Sequence, residues 1–271
     1  MKTKFIEKMN RFLTLLLTIL ATTLLLSCNR SKKADKQSDK LVFDCAEFDT
    51  SAQVGENYCT IKIRLFYAKG PNAHLINDSI LASGILPEEE LRRGAKKTVP
   101  KAVEIFSRNY IKAYKKNVKQ ASKEDPEFMA NEQEFVLESG YGYGKDSIIN
   151  YHADSYSYSG GAHAMTNSFT VNFNPKTGGL VKLTDIILKE KTDELCEIIV
   201  KNIAGQYNVS NLDGLKDNGI FDMFDPYIPE NYVIGKDTLT FIYEADEIGP
   251  HSYGQIVAKI PYNEIKHIIK N

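Results

Sequence analysis

A hydrophobic run closing in Leu25-Leu26-Ser27-Cys28 settles where this chain can begin to fold. Lys2, Lys4, Lys8 and Arg11 precede the run, and Phe12 to Leu26 is apolar apart from threonines. A membrane span needs roughly 20 apolar residues, so this stretch is short for one and suits a signal segment. A small residue followed by cysteine at its end is the pattern of a bacterial lipoprotein signal, with Cys28 as the lipidated first residue of the mature chain. An uncleaved anchor helix is the competing reading, and the polar stretch Asn29 to Lys40 weighs against it. Acyl chains gain about 0.8 kcal/mol per buried methylene, and two or more hold a protein stably on a membrane. Asn29 directly after the cysteine points away from inner-membrane retention under the usual sorting rule. The expected place is the outer membrane, facing the periplasm.

The fold therefore starts after a signal segment over 1–27 and a polar tether over 28–40. The leader holds four basic residues and one acid, so its removal takes the net charge from −1 to −4. Nothing here has the footprint of a nucleic-acid binder. The one local basic run, Lys112 to Lys123, reads as the solvated face of a helix. Neither cysteine nor histidine spacing fits a metal, and Asp213, Asp217, Asp222 and Asp225 lack the spacing of a calcium loop, so no metal or cofactor is expected.

Periodicity sets out the elements. Leu41 to Cys45 and Tyr58 to Tyr67 read as strands, with Cys59, Ile61, Ile63 and Leu65 alternating against polar neighbours. Leu75, Ile76, Ile80 and Leu81 have helical spacing. Val99 to Ala121 is the clearest helix, its face running through Val103, Phe106, Tyr110, Ala113, Tyr114 and Asn117. Strands follow around Phe135 and Leu137, over Ser147 to Tyr158 and over Ser168 to Asn174, with Gly140 to Gly144 as a flexible or bulged hairpin. Thr192 caps a helix with Leu195, Ile198, Ile199 and Ile203 inward. A hairpin at Gly235-Lys236-Asp237 joins Tyr232 to Ile234 and Thr238 to Tyr243, and Gln255 to Ile260 is the last strand. Pro261 opens a closing helix bearing Ile265, Ile268 and Ile269. The mixture predicts an α+β fold, a mostly antiparallel sheet with packed helices.

Cys45 and Cys59 sit on the first two strands across a turn-like Asp49 to Asn57. Two readings carry equal weight: a cross-strand bridge, stabilising by roughly 3 kcal/mol, or small buried thiols.

One motif carries a resemblance. Tyr156-Ser157-Tyr158-Ser159-Gly160-Gly161-Ala162-His163 leads into the strand Ser168 to Phe173, the turn Asn174 to Gly179, and Leu183-Thr184-Asp185-Ile186-Ile187. This series resembles the signature of RsiV-like extracellular domains, found in lysozyme-sensing anti-sigma factors and beside PdaC-like peptidoglycan deacetylases. Phe241 to Glu244 and Ile248-Gly249-Pro250-His251-Ser252-Tyr253-Gly254 are similar to the tail of those domains. The resemblance implies two co-folded α+β subdomains, a PdaC-like one over 41–165 and an RsiV-like one over 166–271. It also implies a cell-wall role, binding lysozyme or a peptidoglycan fragment. The anti-sigma relatives carry a cytosolic segment and a transmembrane helix, and the deacetylases a separate metal-dependent domain. This chain matches neither addition, which leaves the binding module.

Tyr156, Tyr158, Gly160, Gly161 and His163 form one candidate binding loop, with His251 and Tyr253 as a second edge. The plainer reading of Gly160-Gly161 is a strand end that needs positive φ, locked by His163. The chemical alternative is an envelope polymer hydrolase in which His163 acts with Ser157 or Ser159 and with Asp154 or Asp185. No nucleophile elbow is present to support it, so no residue is assigned as catalytic.

Overall fold

The computed structural model describes residues 40–92, 97–124, 132–160 and 163–270, and the account below concerns these. The leader, Cys28 and Gly161 lie outside them. Residues Gln37–Asn271 form one compact unit built on two sheets, which establishes the α+β class.

The first sheet has the order β1-β2-β3-β4-β5. Its strands are β1 (Val42–Val54), β2 (Asn57–Lys69), β3 (Gln133–Tyr143), β4 (Ile149–Tyr158) and β5 (Met165–Phe173). All neighbours are antiparallel except β2 and β3. That parallel pair needs a crossover, and the helices α1 (Ala73–Ala82), α2 (Glu89–Arg92) and α3 (Val99–Glu124) supply it. Strand β5 carries the sheet past residue 165, so Met165–Phe173 pairs with the N-terminal strands.

The strands are longer than their apolar cores suggest. Asp49 to Asn57 is mostly strand, and the turn shrinks to Gly55-Glu56 with Gly55 at φ 63°. The register also separates the two cysteines. Cys45 pairs with Phe66 and Cys59 with Ala52, so seven residues of strand, roughly 23 Å at ~3.3 Å each, lie between them. Seven is odd, which turns the two side chains to opposite faces. Bridged cysteines need Cα atoms within about 7 Å, so the cross-strand bridge does not form and Cys45, Cys59 and Cys196 are thiols.

Helix α3 packs on β1 and β2 through Val99, Ala102, Val103, Phe106, Tyr114 and Val118. Ala113 and Asn117 are exposed, because the buried stripe drifts toward Val118 over this long helix. The Gly140–Tyr143 stretch is regular strand rather than a hairpin. Gly140 faces His152, whose imidazole Cε1 would sit 2.5 Å from a Cβ at that position, so glycine makes room for the ring.

The second unit of the core gathers α5 (Thr192–Gln206), α6 (Leu212–Asp217) and the antiparallel sheet β6 (Tyr232–Ile234), β7 (Thr238–Tyr243) and β8 (Ile256–Pro261). A single turn, α4 (Leu183–Ile186), precedes it. Thr192 is the first residue of α5 rather than its cap, and its hydroxyl donates back to the Lys189 carbonyl at 2.8 Å. The expected closing helix is instead a series of turns. Ile265 and Ile268 are buried as expected, but Leu188 N–H donates to Ile268 O and Lys270 N–H to Ile186 O. Pairing with Ile187 thus draws the tail out straight.

Candidate functional site

Side chains, not a strand ladder, close the outer edge of β5 against the second sheet. Asn172, 2% exposed, accepts the Ile234 N–H at 3.1 Å and donates to Tyr232 O at 2.9 Å. Asn150 joins it, donating to Asn172 Oδ1 at 2.8 Å and to Ile234 O at 3.0 Å. Further along the edge, Asn231 Oδ1 accepts the Thr170 N–H at 3.1 Å, and Glu244 Oε2 accepts the Ser168 N–H at 3.2 Å. Ser168 Oγ donates to Asp154 Oδ1 at 2.6 Å and accepts from Gln255 Nε2 at 2.7 Å. Each amide mimics a missing strand, so the edge satisfies its polar groups without exposing a pairing template.

This seam has an electrostatic character. Burial raises the Glu244 carboxyl above the ordinary glutamate value, with hydrogen bonds from Gln255 and Ser168 working against it and the charges of Asp154 and Glu247 adding to it. Burial pushes the His152 imidazole down, and the Asp154 carboxylate opposes that.

At one end of the seam the candidate loops meet. Tyr156 and Tyr158 are half-buried on β4, opposite Val136 and Glu134 of β3. The chain leaves the sheet at Gly160, whose φ of 89° suits glycine, and His163 beyond it is exposed. The second edge is the turn His251–Tyr253, bounded by Pro250 and by Gly254 at φ 64°. The imidazoles of His163 and His251 stand 6.1 Å apart between ring centroids. His251 Nδ1 lies 2.7 Å from Asp246 Oδ2, and Asp246 itself holds a left-handed φ of 67°. Tyr253 packs edge-on against Tyr207 at 5.3 Å and donates its hydroxyl to Asn218 O at 3.2 Å.

The structure thus brings His163, His251 and Tyr253 to one face, while Tyr156 and Tyr158 stay in the sheet beside it. The partners drawn on for hydrolysis are engaged elsewhere. Asp154 accepts from Ser168, and Asp185 accepts the Lys182 N–H at 2.8 Å at the start of α4. The carboxylate that meets an imidazole at this face is Asp246, which sequence reasoning did not single out. Its signal was faint: an acid five residues before a histidine across a Gly-Pro turn.

Next to this face lies an acidic, apolar-tipped segment. No lysine or arginine occurs over 217–235, whereas Asp217, Asp222, Asp225 and Glu230 do. Phe221 anchors it, fully buried, with its N–H donating to Ile248 O at 2.8 Å. Met223 and Phe224 beyond it are 83% and 54% exposed.

Residues 184–263 match DUF3298. That family is described as a protein of unknown function, and its span here covers α4, α5, α6, the second sheet and the His251 turn. No curated protein matches the chain. Among solved structures, a DUF3298 family member from Bacteroides fragilis superposes with a TM-score of 0.73 at 20% identity, covering 87% of this chain and 96% of that one. A DUF3298 family protein from Pseudomonas aeruginosa gives 0.62 at 18% identity, covering 86% and 95%. At these identities the likeness is one of fold, and it extends over both sheets.

Proposed function

We propose that the chain is a lipid-anchored, non-enzymatic binding module of the bacterial cell envelope. Its ligand is a lysozyme-like protein or a peptidoglycan fragment, taken up where His163 and His251 meet. The observation that carries the reading is the 6.1 Å approach of these two rings, which come from loops far apart in sequence. Recognition commonly sits on loops held by a rigid scaffold, and the amide seam between the sheets is such a scaffold. The RsiV-like pattern of Tyr156 to His163 and of Ile248 to Gly254 supports the same face. So does the acidic segment over 217–235, since lysozymes are basic and opposite charge steers association. Lipid on Cys28 would hold the module to the outer membrane, facing the periplasm.

The test is a titration of the full chain in detergent with lysozyme and with muropeptides, at low and moderate salt, each mixture then read by mass spectrometry. The expected result is a complex with unchanged ligand that weakens in a His163→Ala/His251→Ala double variant. No complex with either probe sinks the proposal. Cleaved or deacylated muropeptide would replace it with a hydrolase.

A further inference from the structure

The Lys-rich run on α3 borders a groove that the binding face does not use. β1 is an edge strand, so a cleft of about 400 Å³ stays open between it and α3. Arg108, Lys112 and Lys115 line it, and their spacing of four and then three residues puts all three on one side of the helix. Thr50 and Ser51 line it from β1, with Phe48 and Ile111 as its apolar part. Ser107 also lines it, 0% exposed, and its Oγ makes no hydrogen bond among the described residues. A helical serine ordinarily donates to the carbonyl four residues back, so a buried hydroxyl without a partner is costly unless a ligand accepts from it.

The charge balance of the cleft favours an anion. Glu104, one turn before it, is taken up by Lys101 at 2.9 Å and Arg108 at 2.8 Å. Lys112 and Lys115 form no ion pair among the described residues. Two ammonium groups, a guanidinium with spare N–H donors and the hydroxyls of Ser107 and Thr50 line the cleft. Ser51, next along β1, turns its side chain to the other face of the sheet. Phosphate oxygens accept from cationic and hydroxyl donors at once, with charge-assisted bonds roughly twice as strong as neutral ones.

We propose that the groove between β1 and α3 binds a phosphate monoester, through Lys112, Lys115 and Arg108 with the Ser107 hydroxyl as the buried donor. The site is independent of the His163–His251 reading. Its ligand is either a soluble phosphorylated molecule or the headgroup of a phospholipid, and one chemistry serves both.

The test uses the full chain in non-ionic detergent, titrated by calorimetry with glycerol 3-phosphate and with dihexanoyl phosphatidic acid. Saturable binding of either probe is expected. Lys112→Gln/Lys115→Gln should weaken it at least tenfold, and Ser107→Ala several-fold with no loss of melting temperature. Lys112→Arg/Lys115→Arg should retain it. Binding of both probes assigns a soluble phosphate ester, and binding of the lipid alone assigns a headgroup. Failure of both probes to bind overturns the site. So does an equal loss in Lys119→Gln/Lys123→Gln, whose side chains do not line this groove, because the attraction would then be diffuse helix charge.

Discussion

Asn172 Oδ1 accepts the backbone N–H of Ile234 across 3.1 Å, and through that bond an edge strand of one sheet is tied to the first strand of the other. The same side chain donates to Tyr232 O and accepts from Asn150. Asn172→Ala would leave several buried polar groups unpaired, at about 1–3 kcal/mol each. A loss of about 3 kcal/mol in urea unfolding is expected, and a loss below about 1 kcal/mol would show that the seam is not held there.

Gly144 tests the same docking from the backbone side. A Cβ built there would lie 1.7 Å from Ile234 O, and Lys145 N–H donates to Gly235 O at 3.1 Å beside it. Gly142, two residues earlier, has nothing within 4 Å. Gly144→Ala should cost about 2–3 kcal/mol by forcing the sheets apart, while Gly142→Ala should cost under about 1 kcal/mol. Equal melting temperatures for the two variants would contradict the close approach.

The seam also predicts a pH dependence with two opposed parts. His152 is held below the ordinary imidazole value of 6.5, so the folded state binds fewer protons than the unfolded one there. Its stability is present above 6.5 and is lost as pH falls toward the lowered pKa. Glu244 is held above the ordinary 4.5, so its burial favours the protonated form, and stability falls as pH rises from 4.5 through the raised pKa. His152→Gln should therefore remove the acid-side loss below 6.5. Glu244→Gln should remove the opposing slope and leave the His152 loss steeper. Unfolding curves measured between pH 4.5 and 7 check both signs, and an unchanged profile in either variant would refute its assignment.

For the cysteines, the register gives a chemical forecast. Cys59 is fully buried, and burial pushes its thiol up to about 11, whereas Cys45 and Cys196 are half-buried. Iodoacetamide should label Cys45 and Cys196 first and reach Cys59 only on unfolding. Dithiothreitol should leave the melting temperature unchanged. A drop of several degrees on reduction would mean that a bridge forms after all.

The proposed lipid anchor is tested at Cys28. Cys28→Ser should leave the chain unlipidated with its leader attached, and normal radiolabelled-palmitate incorporation in that variant would refute the assignment.

Local pattern decided much of this protein. Alternation of Cys59, Ile61, Ile63 and Leu65 marked β2, the spacing of Val103, Phe106 and Tyr114 marked α3, and Gly235-Lys236-Asp237 marked the β6–β7 hairpin, because each element buries a face at its own period. The Tyr-x-Tyr-x-Gly-Gly-Ala-His run marked the loop at which the candidate site lies. Tertiary structure alone decided the rest. Whether Cys45 meets Cys59 depends on where the chain turns, and β1 runs on to Val54 before it does, which sets the two cysteines seven residues apart in register. Whether Ile265 to Ile269 coil or extend depends on Ile187, which lies far away in sequence. The meeting of His163 with His251, and of Asn172 with Ile234, depends on two sheets docking through side-chain amides. Such long-range polar contacts leave no period in the sequence, since only the closed fold brings their partners within hydrogen-bonding distance.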